Sequence, residues 1–393
     1  MSLQSTRQSR TNADTVDQAS PLPPPRAEHV GSFLRPDFLL DARARHADGE
    51  LSDSQLREVE DRAIRDVVRL QGEAGLKAIT DGEFRRTYFH LDFLQHLAGV
   101  ETELPRIVRH ADGRSELTPP TIRVTGKVSE TAPVQVADYR FLQGAVDTLG
   151  VPGLRAKVTI PSPTMLHFRG GRAGISRDAY PALEPAFFAD LAQTYVDELW
   201  ALRTAGCTYV QFDDTNLAYL CDDRMREGVR ERGDDPDTLP AVYSELINDI
   251  VARKPADMLL GVHLCRGNFR STFAAAGGYA PVAEALFGQM NLDVYFLEYD
   301  DERSGDFEPL RYLTGDKYAV LGLITTKSGA LESKDDIKRR INEAARIVPM
   351  ERLCLSPQCG FASTVHGNDI SVDAQRAKLA LVTEIAREVW GDA

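Results

Sequence analysis

Eight short runs rich in apolar and β-branched residues recur along this chain, and amphipathic segments separate most of them. The runs are AEHVGSF (27–33), KAITDGE (77–83), RAKVTI (155–160), YVQFDD (209–214), LLGVHLC (259–265), DVYFLEY (293–299), YAVLGLI (318–324) and RLCLSP (352–357). Between them, stretches such as LREVEDRAIRDVVRLQGEAG and DAQRAKLALVTEIAREVW place apolar residues three and four apart, the period of a half-buried helix. Gly75 and Gly206 stand where two of these helices should stop, just before the next strand. Alternating strands and helices imply parallel strands joined by right-handed crossovers. A count of eight selects an α/β fold of the (β/α)8 TIM barrel type over an open sheet, the alternative being a nine-element open sheet with a hairpin.

The spacing between the second and third runs is long. Residues 100–150 hold a charged loop, an extra strand candidate TIRVTGKV (121–128) and a helix near 134–149, and are expected to form an insertion near the barrel mouth. Residues 1–25 are polar and end in PLPPP, a composition that cannot bury enough apolar surface to fold. A disordered leader over 1–25 and a single domain over 26–393 are therefore expected.

With 46 basic against 59 acidic residues the formal charge is −13. A surface that repels phosphate disfavours nucleic acid and anionic membranes as partners, while leaving homo-oligomer formation open. No apolar run reaches the length of a membrane span and no secretory signal precedes the first strand, so a cytoplasmic location is expected. Five cysteines at irregular spacing argue for reduced thiols or metal ligands rather than a disulfide framework.

Four residues capable of binding a metal fall at the C-terminal ends of these runs: His263 and Cys265 in GVHLCRGN, Glu298 in YFLEYDD and Cys359 in SPQCGF. Period two puts His263 and Cys265 on one face of their strand, where a buried parallel strand would otherwise carry apolar residues. Two thiolates, an imidazole and a carboxylate suit Zn2+, and the carboxylate is the ligand most easily displaced by a substrate thiol. Coordination would hold such a thiol as its nucleophilic anion at neutral pH. Cys354, Cys207 and Cys221 read instead as core residues, and His167 and His366 as neighbours of the mouth that need not touch metal.

The ordered fragments AEHVGSFLRP, ITDGEF, VQFDD, HLCRGN, FLEYD, GLITTKSGALES and LSPQCGF resemble the catalytic C-terminal barrel of the cobalamin-independent methionine synthase family, from about Arg26 onward. The resemblance implies a zinc-dependent thiol S-methyltransferase that converts homocysteine to methionine, with methyltetrahydrofolate as donor in the full-length enzymes. It implies His263, Cys265, Glu298 and Cys359 as zinc ligands. It also implies Val30, Gly31 and Ser32 as the receptor of the amino acid carboxylate, and Glu83 and Asp213 as the partners of its ammonium group. The donor half departs from the family pattern. Lys327 stands where a proton-donating histidine is expected and is the candidate acid, with Asp213 beside it. Pro163 or a neighbour replaces a tryptophan, and Tyr219 an acid.

The chain thus resembles short, single-barrel members, some of which use other methyl donors. Arg85, Arg86 and Arg266 are candidate partners for an anionic donor or a sulfonate thiol. Two further readings remain: a zinc-dependent alkyltransferase for another thiol, such as coenzyme M with an epoxide, and a non-enzymatic zinc-binding barrel.

Overall fold

A computed structural model describes residues 20–392 apart from 104–106, 110–114, 118–120, 184, 269–270 and 366. Most of the expected leader lies outside these residues, and so does His366. From Leu22 the chain is held against the body, since the Leu22 and Pro23 carbonyls accept hydrogen bonds from Arg155.

Twelve strands occur among the described residues, in the order β1 (Ala78–Ile79), β2 (Ala98–Glu103), β3 (Ile107–Arg109), β4 (Ser115–Leu117), β5 (Thr121–Ser129), β6 (Arg155–Ala156), β7 (Val158–Pro161), β8 (Tyr209–Asp214), β9 (Leu259–Leu264), β10 (Val294–Glu298), β11 (Tyr318–Ile324) and β12 (Leu353–Pro357). The fold is α/β with a parallel sheet of six strands, ordered β12-β11-β10-β9-β8-β7. A separate parallel pair joins β1 to β6, and β6 runs into β7 through Lys157, whose amide donates to the Ile79 carbonyl. Because all six strands of the sheet point one way, the ends at Pro161, Asp214, Leu264, Glu298, Ile324 and Pro357 share one edge.

The last five runs match observed strands to within a residue or so. The first does not. In AEHVGSF only Ala27 bridges another strand, pairing parallel with Leu355. Gly31 then takes a φ of +139°, which a regular strand does not allow, and turns Val30–Ser32 toward the strand ends. KAITDGE is likewise cut to two strand residues, because Gly82 and Glu83 both have positive φ. The segment still meets its neighbours: the Glu28 amide donates to Leu355, the Phe33 amide to Gly82, and the Thr80 hydroxyl to Gly31. A fully buried ion pair, Lys157 Nζ to Glu28 at 2.9 Å, ties it to β6 and β7, with the Tyr209 hydroxyl on the other Glu28 oxygen. The insertion contains the strand expected at 121–128, observed as Thr121–Ser129 and paired antiparallel with β2, and the helix expected near 134–149, observed at Val136–Asp147.

Helices cover the strands as their periodicity dictates. Asp53–Glu73 starts in a capping box formed by Ser52 and Gln55, and Val372–Trp390 runs from a Ser371 cap to Gly391 in the left-handed conformation. A second apolar layer, Ala78, Tyr209, Leu259, Val294, Phe296, Val320 and Cys354, packs separately from the helix-facing core. Cys354 is therefore packing, as expected, and burial pushes its thiol up to about 12. Cys207 and Cys221 are buried with thiols raised in the same way.

One glycine sets the spacing of the functional edge. Gly322 of β11 pairs with Glu298, and a Cβ there would lie 2.5 Å from the Leu297 carbonyl and 2.7 Å from Gln358 Cα. Both obstacles are backbone. Gly322→Ala should cost about 1–3 kcal/mol through overpacking, and should shift Glu298 relative to the Cys359 loop. Thermal denaturation and metal analysis of the variant check both effects.

A second expectation concerns pH. The Glu198 carboxylate accepts from the amides of Val134 and Gln135. Burial first, and then Glu198, push the nearby Glu130 carboxyl up to about 8. The folded form thus keeps a proton that the unfolded chain has released above pH 4.5, so this group's contribution to stability falls as pH rises through that window to about 8. Melting curves across neutral pH should show a shallower decline for Glu130→Gln than for the wild type.

Candidate functional site

At the shared strand edge, β9, β10 and the loop after β12 bring His263, Cys265, Glu298 and Cys359 together. One ligand atom from each lies within 4.8 Å of the others, and all four residues are buried. His263 is the fifth residue of β9, Cys265 follows the strand by one residue, Glu298 ends β10 and Cys359 lies two residues beyond β12. Parallel register makes this possible, because Phe296 pairs with His263 and Glu298 with Gly322, which is itself opposite Ser356.

The chemistry of the group fits a bound cation. Neither ring nitrogen of buried His263 makes a well-formed hydrogen bond, its one polar neighbour of that kind being the Cys359 sulfur, a costly state unless something else coordinates the ring. The sulfurs of Cys265 and Cys359 are 3.4 Å apart. The hydrogen bond between them holds the Cys359 thiol well below the usual range and raises Cys265. Burial pushes Glu298 up and Cys359 reinforces this, against Lys327 and His263. One Glu298 oxygen accepts from the Arg266 amide at 3.0 Å and the other lies 3.3 Å from Arg303. Buried donors with one soft anion, one imidazole and one carboxylate form a cluster that a divalent ion such as zinc would stabilise.

Three of the four, His263, Cys265 and Cys359, open on a cavity of about 400 Å³, and Glu298 lies behind them. Val30, Ser32, Glu83 and Asp213 line the same cavity as His263, Cys265 and Cys359. The amides of Val30, Gly31 and Ser32 donate no hydrogen bond to the described residues, and Val30 and Ser32, though not Gly31, line the cavity. Gly360 lets the Cys359 loop approach this turn, since a Cβ there would fall 1.9 Å from Ser32 Oγ.

Glu83 adopts φ of +61°, a conformation costing about 1–3 kcal/mol for a residue other than glycine. Its amide donates to Asp81, its carbonyl accepts from Arg35, and its carboxylate accepts from Thr159 Oγ1 at 2.9 Å. Burial raises the Glu83 carboxyl, and Arg86 at 3.5 Å opposes this. Burial likewise pushes Asp213 up to about 7, and Glu83 adds to it. Two neighbouring buried carboxyls, one of which raises the other, suit a cation.

Of the donor-side residues, two lie elsewhere and one lines the cavity. Lys327 is not among the residues lining the cavity; its ammonium is 3.3 Å from Asp300. Pro163 does not line it either, whereas Tyr219 does. Arg85 is committed to Glu60, Asp61 and Asp138, Arg86 to Thr159 and Glu83, and Arg266 to the Gly277 carbonyl and the Tyr279 ring. His167 is buried away from the cavity against the Tyr243 hydroxyl. Sequence reasoning does not find Tyr88, Phe89, His90, Arg169 and Phe273, all of which line the cavity. They lie on irregular segments or a short helix end, where no periodicity marks them.

The model of the cobalamin-independent synthase catalytic domain matches residues 25–387. The chain belongs to the cobalamin-independent synthase family. It is 47% identical over 374 residues to the Bacillus subtilis protein YxjH, an uncharacterized protein, covering 93% of this chain and 95% of that one. It is 24% identical to a methionine synthase from Saccharolobus solfataricus, over 84% of this chain and 86% of that one. A proposed vitamin-B12-independent methionine synthase from Listeria monocytogenes has a similar structure, with a TM-score of 0.75, 42% identity and coverage of 94% of this chain and 99% of that one. The family is one of methionine-synthase-like methyltransferases. Among the described residues no helix is long and apolar enough to cross a membrane.

Within this family site, removal of either clustered sulfur should be decisive. Cys265→Ala and Cys359→Ala should each lose most of the bound metal after dialysis, whereas Cys354→Ala should retain the wild-type amount. Mass spectrometric metal analysis of the three purified variants checks this.

Proposed function

We propose that this protein is a zinc-dependent methyltransferase that transfers a methyl group to the sulfur of homocysteine, forming methionine. The observation that carries the reading is a single cavity that joins a His/Cys/Cys/Glu cluster to an acid pair and a turn of unpaired amides. Each part suits one portion of a thiol amino acid. The family match and the relatives named as methionine synthases support the same chemistry.

His263, Cys265, Glu298 and Cys359 would hold the ion. Zinc, when bound, supplies the positive charge that keeps an acceptor thiol deprotonated at neutral pH. Glu83 and Asp213 receive the ammonium group, and ionising Asp213 in its presence is favourable because the incoming cation offsets the charge it places beside Glu83. The Val30–Ser32 amides and the Ser32 hydroxyl receive the carboxylate. With the amino acid fixed at both ends, its sulfur faces the cavity, and the methyl donor approaches from the side of Tyr219. As the new S–CH3 bond forms, the donor's bond to that methyl breaks and the leaving group departs with the electron pair. Lys327, joined to Asp300 beside Glu298, acts from behind the cluster by holding these carboxylates in place.

The architecture belongs to the same proposal. Together, the six-stranded sheet, the β1–β6 pair and the Ala27 bridge to Leu355 supply eight positions for a TIM barrel, with residues 26–393 as one domain. A cytoplasmic location is part of the same proposal.

Calorimetry on zinc-loaded protein tests the acceptor. Glu83→Gln should weaken homocysteine binding by about tenfold or more, the cost of losing a buried charge-assisted contact. It should leave unchanged the binding of 4-mercaptobutyrate, which lacks the ammonium group, and also the zinc content. Zinc-edge absorption should gain a sulfur neighbour when homocysteine is added. An unchanged sulfur count would leave only a closed, structural metal site.

A further inference from the structure

Beneath the cavity, β8 carries a column of polar side chains, most of which the proposed chemistry does not use. Tyr209, Gln211 and Asp213 are two residues apart, so all three point to one face of the strand. Of these only Asp213 lines the cavity. The Tyr209 hydroxyl donates to Glu28 Oε1 at 2.8 Å, and Glu28 Oε2 accepts from Lys157 Nζ at 2.9 Å. The same ammonium donates to the His29 carbonyl, and to Gln211 Oε1 at 3.2 Å. Glu28, Lys157, Tyr209 and Gln211 are each at most 1% exposed.

This chain leaves Gln211 one orientation. An ammonium can only donate, so the Gln211 carbonyl must face Lys157 and its amino group must face the other way. There Nε2 donates to the Val30 carbonyl at 2.6 Å and to Asp213 Oδ1 at 2.7 Å, which uses both of its hydrogens. Among the described residues Asp213 Oδ2 accepts no side-chain hydrogen bond, and it is the oxygen left for a ligand. Because a trans peptide is planar, gripping the Val30 carbonyl also fixes the direction of the Gly31 amide. An apolar residue at 211 would fill the same layer without desolvating an amide or needing the buried Lys157–Glu28 pair below it. What the polar chain adds is a rigid link between two walls of the cavity.

We infer that Gln211, oriented by Lys157 and Glu28, is a positioning residue for the thiol acceptor: it sets the separation between the Val30–Ser32 turn and the Asp213 carboxylate, and so selects a thiol that carries its ammonium and carboxylate on one carbon. The selectivity rests on the acceptor reading above; the grip on Asp213 and Val30 does not. Thr159, on the neighbouring strand, does the same for the other acid, its hydroxyl donating to Glu83 at 2.9 Å. Each carboxylate thus meets a ligand from a fixed direction, and no reorganisation is needed when the ligand arrives.

Two variants of the full chain separate this role from space-filling. Gln211→Glu keeps the shape and the Lys157 contact and removes both donors, whereas Gln211→Met removes the polar group altogether. In calorimetry on the zinc-loaded proteins, each should bind homocysteine at least about tenfold more weakly than the wild type. 4-Mercaptobutyrate and 3-aminopropanethiol each lack one of the two ends and should lose less than about threefold, with zinc content unchanged. In crystals of the thiol-free variants the Asp213 carboxyl should leave its wild-type rotamer. Wild-type homocysteine affinity in Gln211→Glu, an equal loss for all three thiols, or an unmoved Asp213 in both variants would each overturn the inference. A wild type that gives no homocysteine heat, with Asp213 still displaced in the variants, would instead end the acceptor reading and leave Gln211 as the residue that holds Asp213.

Discussion

Concentrating unsatisfied donors at one buried point is the constraint around which this molecule is built. A His263 ring without a well-formed hydrogen bond, two thiols sharing one weak hydrogen bond and a desolvated Glu298 carboxyl would each be unfavourable alone. Together they resist folding into contact unless a cation compensates them, which ties stability and metal binding to the same atoms. The neighbouring structure is consistent with that demand. Arg303 and the Arg266 amide hold the two Glu298 oxygens, and Gly322 removes a side chain where the backbones of β10 and the Cys359 loop must approach.

Parallel strands solve the geometric half of this problem. Residues separated by almost a hundred positions meet because every strand of the sheet ends on the same edge, so one residue placed at each end suffices. The same edge carries the turn at Val30–Ser32 and the acids Glu83 and Asp213, and here the local backbone departs from strand geometry. Positive φ at Gly31, Gly82 and Glu83 shortens the first two runs and turns their polar groups toward the cavity. Conformational strain at Glu83 is thus located where a carboxylate is aimed at a ligand, not distributed through the core.

That division also explains what can be read from the amino acids. Strands β8 to β12 are legible because continuous apolar runs bounded by turn residues leave little choice of element. The four donors are legible because polar residues at the ends of buried strands violate the pattern around them. The first run reads as a strand because AEHVGSF has the right composition, and only the Gly31 dihedral reveals the turn. Lys327 takes its candidate role from its position in a motif, yet Asp300, two residues beyond Glu298, draws it away from the cavity. Arg169 leaves no signal, since a lone arginine at the end of the short helix Met165–Phe168 looks like any solvated residue until the walls around it are known.

The acceptor end of the cavity combines two opposite electrostatic demands. Burial raises the Glu83 and Asp213 carboxyls, so each ionises more readily when a cation lies beside it. The Val30–Ser32 turn, whose amides donate no hydrogen bond among the described residues, suits an anion. A zwitterionic thiol would meet both demands at once, with its sulfur left to face His263, Cys265 and Cys359. Charge matching at both ends then selects which end of the amino acid reaches the cluster, a selection that apolar contact alone does not make.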